Sequence, residues 1–192
     1  MASNPRKTAK KTATTKRSTI TKSTRSTKTP KRTSNIPHEK KSAGANVSLR
    51  MLTEADDAFL LQSTRQTMKE VFEKSVGVEL TDKLILEQIK SSGVTLIIEQ
   101  GCVPIGYTCY TLYKPKRMYW GALVLLPTAQ GHGIGSRICD NLYEHARQLG
   151  CEAIDGHVQV HNEVAVKFWK SQGFEVVGGP TAGSYEIEKK LR

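Results

Sequence analysis

The stretch that decides the architecture is Leu125-Leu126-Pro127-Thr128-Ala129-Gln130-Gly131-His132-Gly133-Ile134-Gly135-Ser136. An apolar strand runs through Pro127 into a glycine-rich turn. Beyond the turn, Ile134, Ile138, Leu142 and Leu149 form a predicted buried helical stripe, closed by Gly150. Strand, tight turn and helix in that order present unpaired backbone N–H groups, and the positive end of the helix, to an anion. Gly131, Gly133 and Gly135 keep Cβ atoms out of its path. The dinucleotide fingerprint G-x-G-x-x-G fails at Ser136 and lies here in mid-domain, after an antiparallel meander. A Walker loop would end in Gly-Lys-Ser/Thr, which is absent. The pattern that fits is Q/R-x-x-G-x-G/A, carried by Gln130, Gly133 and Gly135.

Outward from this turn, apolar periodicity and turn residues predict a strand at 47–51 and a helix opened by Thr53 and Asp56 and running to about Lys74. A second helix begins at Thr81. Strands follow at 95–99, 104–112 and 118–126, the last feeding the glycine turn and its helix. A strand at 153–160, a helix at 163–172 and strands at 174–177 and 185–188 complete the chain. The order β, α, α, β, β, β, α, β, α, β, β predicts an α/β fold, a mixed central sheet with helices on both faces, over residues 47–192.

Residues 1–46 differ in kind. Of the 29 Lys and Arg and 18 Asp and Glu in the chain, this segment holds 13 basic residues and one acid, Glu39, leaving 16 basic and 17 acidic in the rest. The net charge of +11 therefore belongs to this arm, which rules out a uniformly basic nucleic-acid-binding fold. With 16 Ser or Thr and no aromatic residue, the arm is expected to be disordered. Within it, TKRSTI, TKSTRS and TKTPKR recur from Thr15, Thr21 and Thr27, a solvated array of cations resembling linker-histone tails. Nucleic acid or another polyanion is the expected partner, and solubility or targeting the bland alternative. No apolar run reaches the ~18 residues of a membrane span, and no secretory signal is expected. Cys102, Cys109, Cys139 and Cys151 lack metal-site spacing and are read as unpaired packing residues, with no metal. An intracellular, cytoplasmic protein is expected, with a nucleoid or nuclear location open through the arm.

The glycine-turn pattern resembles the acetyl-CoA loop of the GCN5-related N-acetyltransferase (GNAT) superfamily. Asn162, Ala165, Phe168, Gly173 and Phe174 are similar to a second segment of that family, N-x-x-A-x-x-F-Y-x-x-x-G-F, and the element order agrees over residues 47–192. The resemblance implies an acetyltransferase with acetyl-CoA as cosubstrate. Backbone N–H groups of Gln130, Gly131, His132, Gly133, Ile134, Gly135 and Ser136 would hold its pyrophosphate. The acetyl carbonyl would lie near the N–H of Leu125, and Asn162 would hold the cofactor arm from the other wall. The plain reading of the glycines is a tight turn, and that of Asn162 an N-cap. Where the family often has a tyrosine that protonates the departing thiolate, this chain has Trp169, whose indole cannot deliver a proton.

The incoming ammonium must also lose a proton to a base. In Ala153–His161 one face carries Asp155, His157, Gln159 and His161, and a polar row on a central strand marks a cavity. His157, five residues before Asn162, resembles in its placement a histidine implicated in proton removal in some protein N-terminal acetyltransferases, where a tyrosine on the neighbouring strand completes the pair; Tyr119 falls at that position. The candidate catalytic residues are His157 and Tyr119, with Asp155 as a candidate anchor for the substrate ammonium. The acceptor is a primary amine on a protein N-terminus, a lysine or a small molecule. The rival reading is a non-catalytic CoA-binding module held on nucleic acid by its arm, and Trp169 is the feature that favours it.

Overall fold

The structure, a computed structural model, describes residues 46–191, so the basic arm read from the sequence lies, but for Asn46, outside the described residues. Apolar alternation builds β1 (Val47–Met51), β2 (Val94–Gln100), β3 (Val103–Lys114) and β4 (Arg117–Leu125) into an antiparallel meander. β5 (Ala153–Gln159) joins β4 in parallel and pairs antiparallel with β7 (Ser184–Lys190), which pairs with β6 (Glu175–Thr181). The order across the sheet is β1-β2-β3-β4-β5-β7-β6. A parallel neighbour needs a crossover, and α3 (Ile134–Gln148) provides it.

α1 (Asp57–Val76) and α2 (Asp82–Lys90) cover one face of the sheet, α3 and α4 (Glu163–Ser171) the other. Adjacent strand residues point to opposite faces, so Ile97 and Ile98 are both fully buried but in different cores. Ile97 packs with Leu60, Ile85, Tyr107 and Val124, whereas Ile98 joins Met118, Ile138, Leu142, Ile154 and Ile187. Thr81 caps α2, its hydroxyl accepting from the Leu84 N–H. At the other expected cap, a short 3-10 turn, Glu54–Asp56, precedes α1, and the Thr53 N–H and hydroxyl both donate to the Asp56 carboxylate at 2.8 Å. Arg50 grips that carboxylate with two nitrogens and holds it well below the ordinary range.

The structure departs from the sequence expectations at Leu149, at Cys102 and at the final strands. Leu149 lies just past the end of α3 and is 46% exposed; the buried stripe is completed instead by Cys139, Tyr143 and Ala146. Cys109, Cys139 and Cys151 are buried packing residues, but Cys102 is exposed in the β2–β3 turn with φ 64°. The final strands also run farther than predicted, so the β6–β7 turn shrinks to Ala182 and Gly183.

One feature of the sheet positions the site. Pairing between β4 and β5 stops at Trp120 and Gly156. Beyond it, β4 stays with β3 through Leu125, while His157, Val158 and Gln159 pair with Glu186, Tyr185 and Ser184 of β7. The two strands part, and the sheet opens in its middle.

Candidate active site

The glycine turn stands at the open end of that gap. Leu126 N–H donates to the Ile105 carbonyl at 2.8 Å, and in an antiparallel pair the bonded positions alternate. Leu125 therefore turns its own N–H and C=O away from β3, toward the gap. Its carbonyl is met there by the Gln130 side chain, Nε2 to O 2.8 Å, which ties the turn to the strand. The Leu125 N–H is left facing the space between β4 and β5.

After a 3-10 turn at Pro127–Ala129, Gly131 and Gly133 take left-handed φ of 77° and 74°, and Gly133 is the N-cap of α3. The first N–H groups of the helix, at Gly133, Ile134, Gly135 and Ser136, have no partner within it. Gln130, Gly131, His132 and Gly133 are exposed around this end, while the Ile134 side chain is buried. The glycines are not equivalent. A Cβ on Gly133 would meet nothing within 4 Å, whereas one on Gly135 would lie 3.2 Å from the Phe168 ring. Gly133 thus leaves open space in front of the helix end, and Gly135 lets α3 approach α4. Ser136 Oγ accepts from Gln172 Nε2 at 3.1 Å, a second tie between these helices.

These positions yield a prediction. Gly133→Val places a branched side chain at a left-handed backbone position and in the open space before the N–H groups. Calorimetry should show CoA binding weakened at least tenfold, ~1.4 kcal/mol, with an unchanged circular dichroism spectrum. Undiminished affinity on an intact fold would remove the turn from the binding site.

On the opposite wall, Asn162 caps α4, its Oδ1 accepting from the Ala165 N–H at 3.0 Å. Trp169 packs edge-on into an aromatic cluster, with ring centroids 5.0 Å from Trp120, 5.1 Å from Phe174 and 5.2 Å from Phe168. The indole at this position fills the space between α4 and the centre of β4.

The sheet face that carries α1 holds the other half of the site. Tyr119 and His157 stand on it, the phenol oxygen 3.0 Å from His157 Nδ1 and the rings 5.6 Å apart. Burial raises the Tyr119 pKa, so the phenol stays protonated. Because Nδ1 is engaged, Nε2 is the ring nitrogen left to exchange a proton. His157 is exposed, at the mouth of a cleft of about 550 Å³ lined also by Tyr113, Asp155, Glu186 and Glu188. His161 lies beyond the end of β5, where its N–H donates to Ser75 Oγ of α1 at 3.3 Å.

Asp155 is not open to a substrate cation. Arg117 Nε donates to it at 2.8 Å, Arg117 Nη2 reaches both Asp155 and Glu188, and the Tyr113 hydroxyl donates to Asp155 as well. Burial alone would raise this carboxyl's pKa, but the Arg117 and Tyr113 hydrogen bonds outweigh it and hold the group below its ordinary range. The Tyr113 ring in turn meets Tyr119 edge-on at 6.1 Å. Tyr113, Arg117, Glu186 and Glu188 were missed from the sequence. No local motif marks them, and only the register of β7 on β5, with Glu188 opposite Asp155 and Glu186 opposite His157, brings the acids to the site. Among the described residues no cluster of His, Cys, Asp and Glu is placed to hold a metal ion, and no helix is long and apolar enough to cross a membrane.

Residues 60–174 match the model of the family described as Acetyltransferase (GNAT) family. No curated protein sequence matches the chain. Among solved structures, Ard1 from Thermoplasma volcanium aligns with TM-score 0.62 at 14% identity, over 76% of this chain and 98% of its own. The PaiA N-acetyltransferase of Thermoplasma acidophilum, in complex with coenzyme A, gives 0.62 at 17% identity, over 76% and 99%. Arabidopsis thaliana Naa50, in complex with the bisubstrate analogue CoA-Ac-MVNAL, gives 0.56 at 23% identity, over 75% and 98%. At these identities the likeness is one of fold.

Proposed function

The chain belongs to the acetyltransferase (GNAT) family, and from that premise we propose that it transfers an acetyl group from acetyl-CoA directly to a polypeptide amine, the N-terminal amine above all, with His157 as the base. The observation that carries this reading is the 3.0 Å Tyr119–His157 pair, standing where β4 and β5 part.

The roles follow from the geometry. N–H groups of Gly133–Ser136 take the pyrophosphate, with Gln130, Gly131 and His132 around it and Asn162 on the far wall. The Leu125 N–H faces the gap in which the thioester carbonyl would lie, and a positioned donor of this kind is worth about 10² in rate. An α-ammonium titrates near ~8 and a lysine ammonium near ~10.4, so at neutral pH a proton must be removed before attack. His157 takes it, directly or through water, with Tyr119 fixing the imidazole. The new N–C bond forms as the C–S bond breaks. A thiol of pKa ~8.5 leaves without needing a phenol at position 169, and no enzyme nucleophile intervenes. The rival of a non-catalytic module loses its support, because packing against Trp120, Phe168 and Phe174 accounts for Trp169. The two-residue β6–β7 turn leaves the cleft open, to a lysine side chain or a polyamine as well as to a chain end, so the choice of the N-terminal amine rests on the Tyr119–His157 pair. The basic arm serves separately, as a polyanion-binding segment.

Acceptor choice tests this. With saturating acetyl-CoA we expect a lysine-free peptide with a free N-terminus to be acetylated at least tenfold faster than spermidine or the same peptide blocked at its N-terminus and given one internal lysine. Mass spectrometry locates the acetyl group, and equal rates for all three would overturn the N-terminal assignment.

A further inference from the structure

The acceptor end of the cleft is lined by three carboxylates, Asp155, Glu186 and Glu188, and by two cations, Lys114 and Arg117. Their pairing is uneven. Arg117 is divided between Asp155 and Glu188, and Lys114 lies over the Tyr113 ring, 4.9 Å from its centroid. The Glu186 carboxylate has no hydrogen bond or ion pair among the described residues, so it alone of the three lacks a direct partner, in a cleft whose lining holds one more anion than cations.

Its position is defined. Glu186 is the direct cross-strand partner of His157, so the two side chains share a face with Cβ atoms ~5 Å apart. The carboxylate leans away from His157, over β6, into space that exists because residue 178 is glycine: a Cβ there would come within 2.8 Å of Oε2. Tyr119, His157 and Glu186 thus form a row across β4, β5 and β7, phenol and base first and the free anion beyond them. Strands lie ~4.8 Å apart and an extended chain advances ~3.4 Å per residue, so an anion displaced to the far side of the base meets a side chain one or two residues beyond the reacting amine, not the amine itself.

We propose that Glu186 is a specificity-determining residue that selects acceptors bearing a Lys or Arg within the first residues after the reacting amine and disfavours acidic ones. This rests on His157 marking the reacting end. The chain's own first 46 residues, with 13 cations and one acid, are a segment of the selected chemistry.

The test uses the full chain and two N-terminal decapeptides that differ only at their second and third residues, arginine in one and glutamate in the other, so that neither adds an acceptor amine. Wild type should favour the arginine peptide at least tenfold in kcat/KM, chiefly through KM. Glu186→Gln should level the two, Glu186→Lys should reverse the order, and Gly178→Ala, which displaces the carboxylate, should shrink the preference, all with unchanged affinity for CoA. The arm is the same in every variant and cancels from the comparison. Peptide binding followed by fluorescence anisotropy in the presence of CoA separates this proposal from the assignment of the base: in His157→Ala the preference should persist though turnover falls. A Glu186→Lys protein that still prefers the arginine peptide as wild type does would overturn the proposal.

Discussion

His157→Ala is expected to lower kcat/KM by about 10² or more at pH 7, the usual contribution of a positioned base, and to regain part of that loss toward pH 9. The recovery has a specific origin. As pH rises toward the substrate's own pKa, ~8 for an α-amine, a growing share of acceptor arrives already deprotonated and the base is needed less. A lysine acceptor, at ~10.4, is still almost wholly protonated at pH 9, so its rate should still be climbing steeply where that of an α-amine levels off, and the comparison also reports which amine is used. Tyr119→Phe should cost less than the histidine change, because it removes the 3.0 Å bond to Nδ1 but keeps the ring against Tyr113. Acetyl-CoA affinity should be unaffected in both, since neither side chain stands on the turn. A loss constant from pH 7 to 9 would identify His157 as a packing residue.

The second large effect concerns the arm. Removing residues 1–46 takes away 13 of the 29 basic residues and one acid, leaving a domain with 16 basic and 17 acidic residues and no net attraction for phosphates. If about half of the arm's cations engage a DNA duplex, log K should fall with log salt at a slope of ~−6. Binding should be indifferent to base sequence, since nothing in the Lys, Ser and Thr repeat is built to read base edges. The truncated protein should lose this binding while turning over a small amine within about twofold of the full chain. Salt-dependent anisotropy on a labelled duplex checks the first outcome and a thiol-release assay the second. Steep salt-dependent binding by the truncated protein would refute the division of labour. Lys16, Lys22 and Lys28 lie in the arm's repeat, so acetylation there would weaken the same binding by removing charge.

Much of this molecule is written in local sequence. Period-two and period-3.6 apolar patterns mark the seven strands and four helices of the described residues, because each element must bury one face and side-chain direction repeats with the local backbone. The glycine turn is legible for the same reason: left-handed φ at Gly131 and Gly133 needs glycine whatever surrounds it. Of the polar row Asp155, His157, Gln159 and His161, from which alternation predicts a cavity, the first two line the cleft. Gly135 shows where local reading ends. It matched the phosphate pattern, but what stands against its α-carbon is the ring of Phe168, 33 residues farther on.

The division between the two levels is clearest at the acceptor end of the cleft. That a histidine and a tyrosine would be available there follows from residue type and strand alternation. Which acids surround them depends on how β7 registers against β5, and a slip of one residue would turn Glu186 and Glu188 to the other face. That Arg117 then bridges Asp155 and Glu188, leaving Glu186 without a partner among the described residues, is decided by contacts among three strands that no single segment encodes. Sequence alone determined the elements, the glycine turn and the candidate base, because each is a short-range consequence of backbone geometry and periodicity. Tertiary structure alone decided where β4 and β5 part and which carboxylate lacks a partner, because strand register and ion pairing are settled only when distant segments share one sheet.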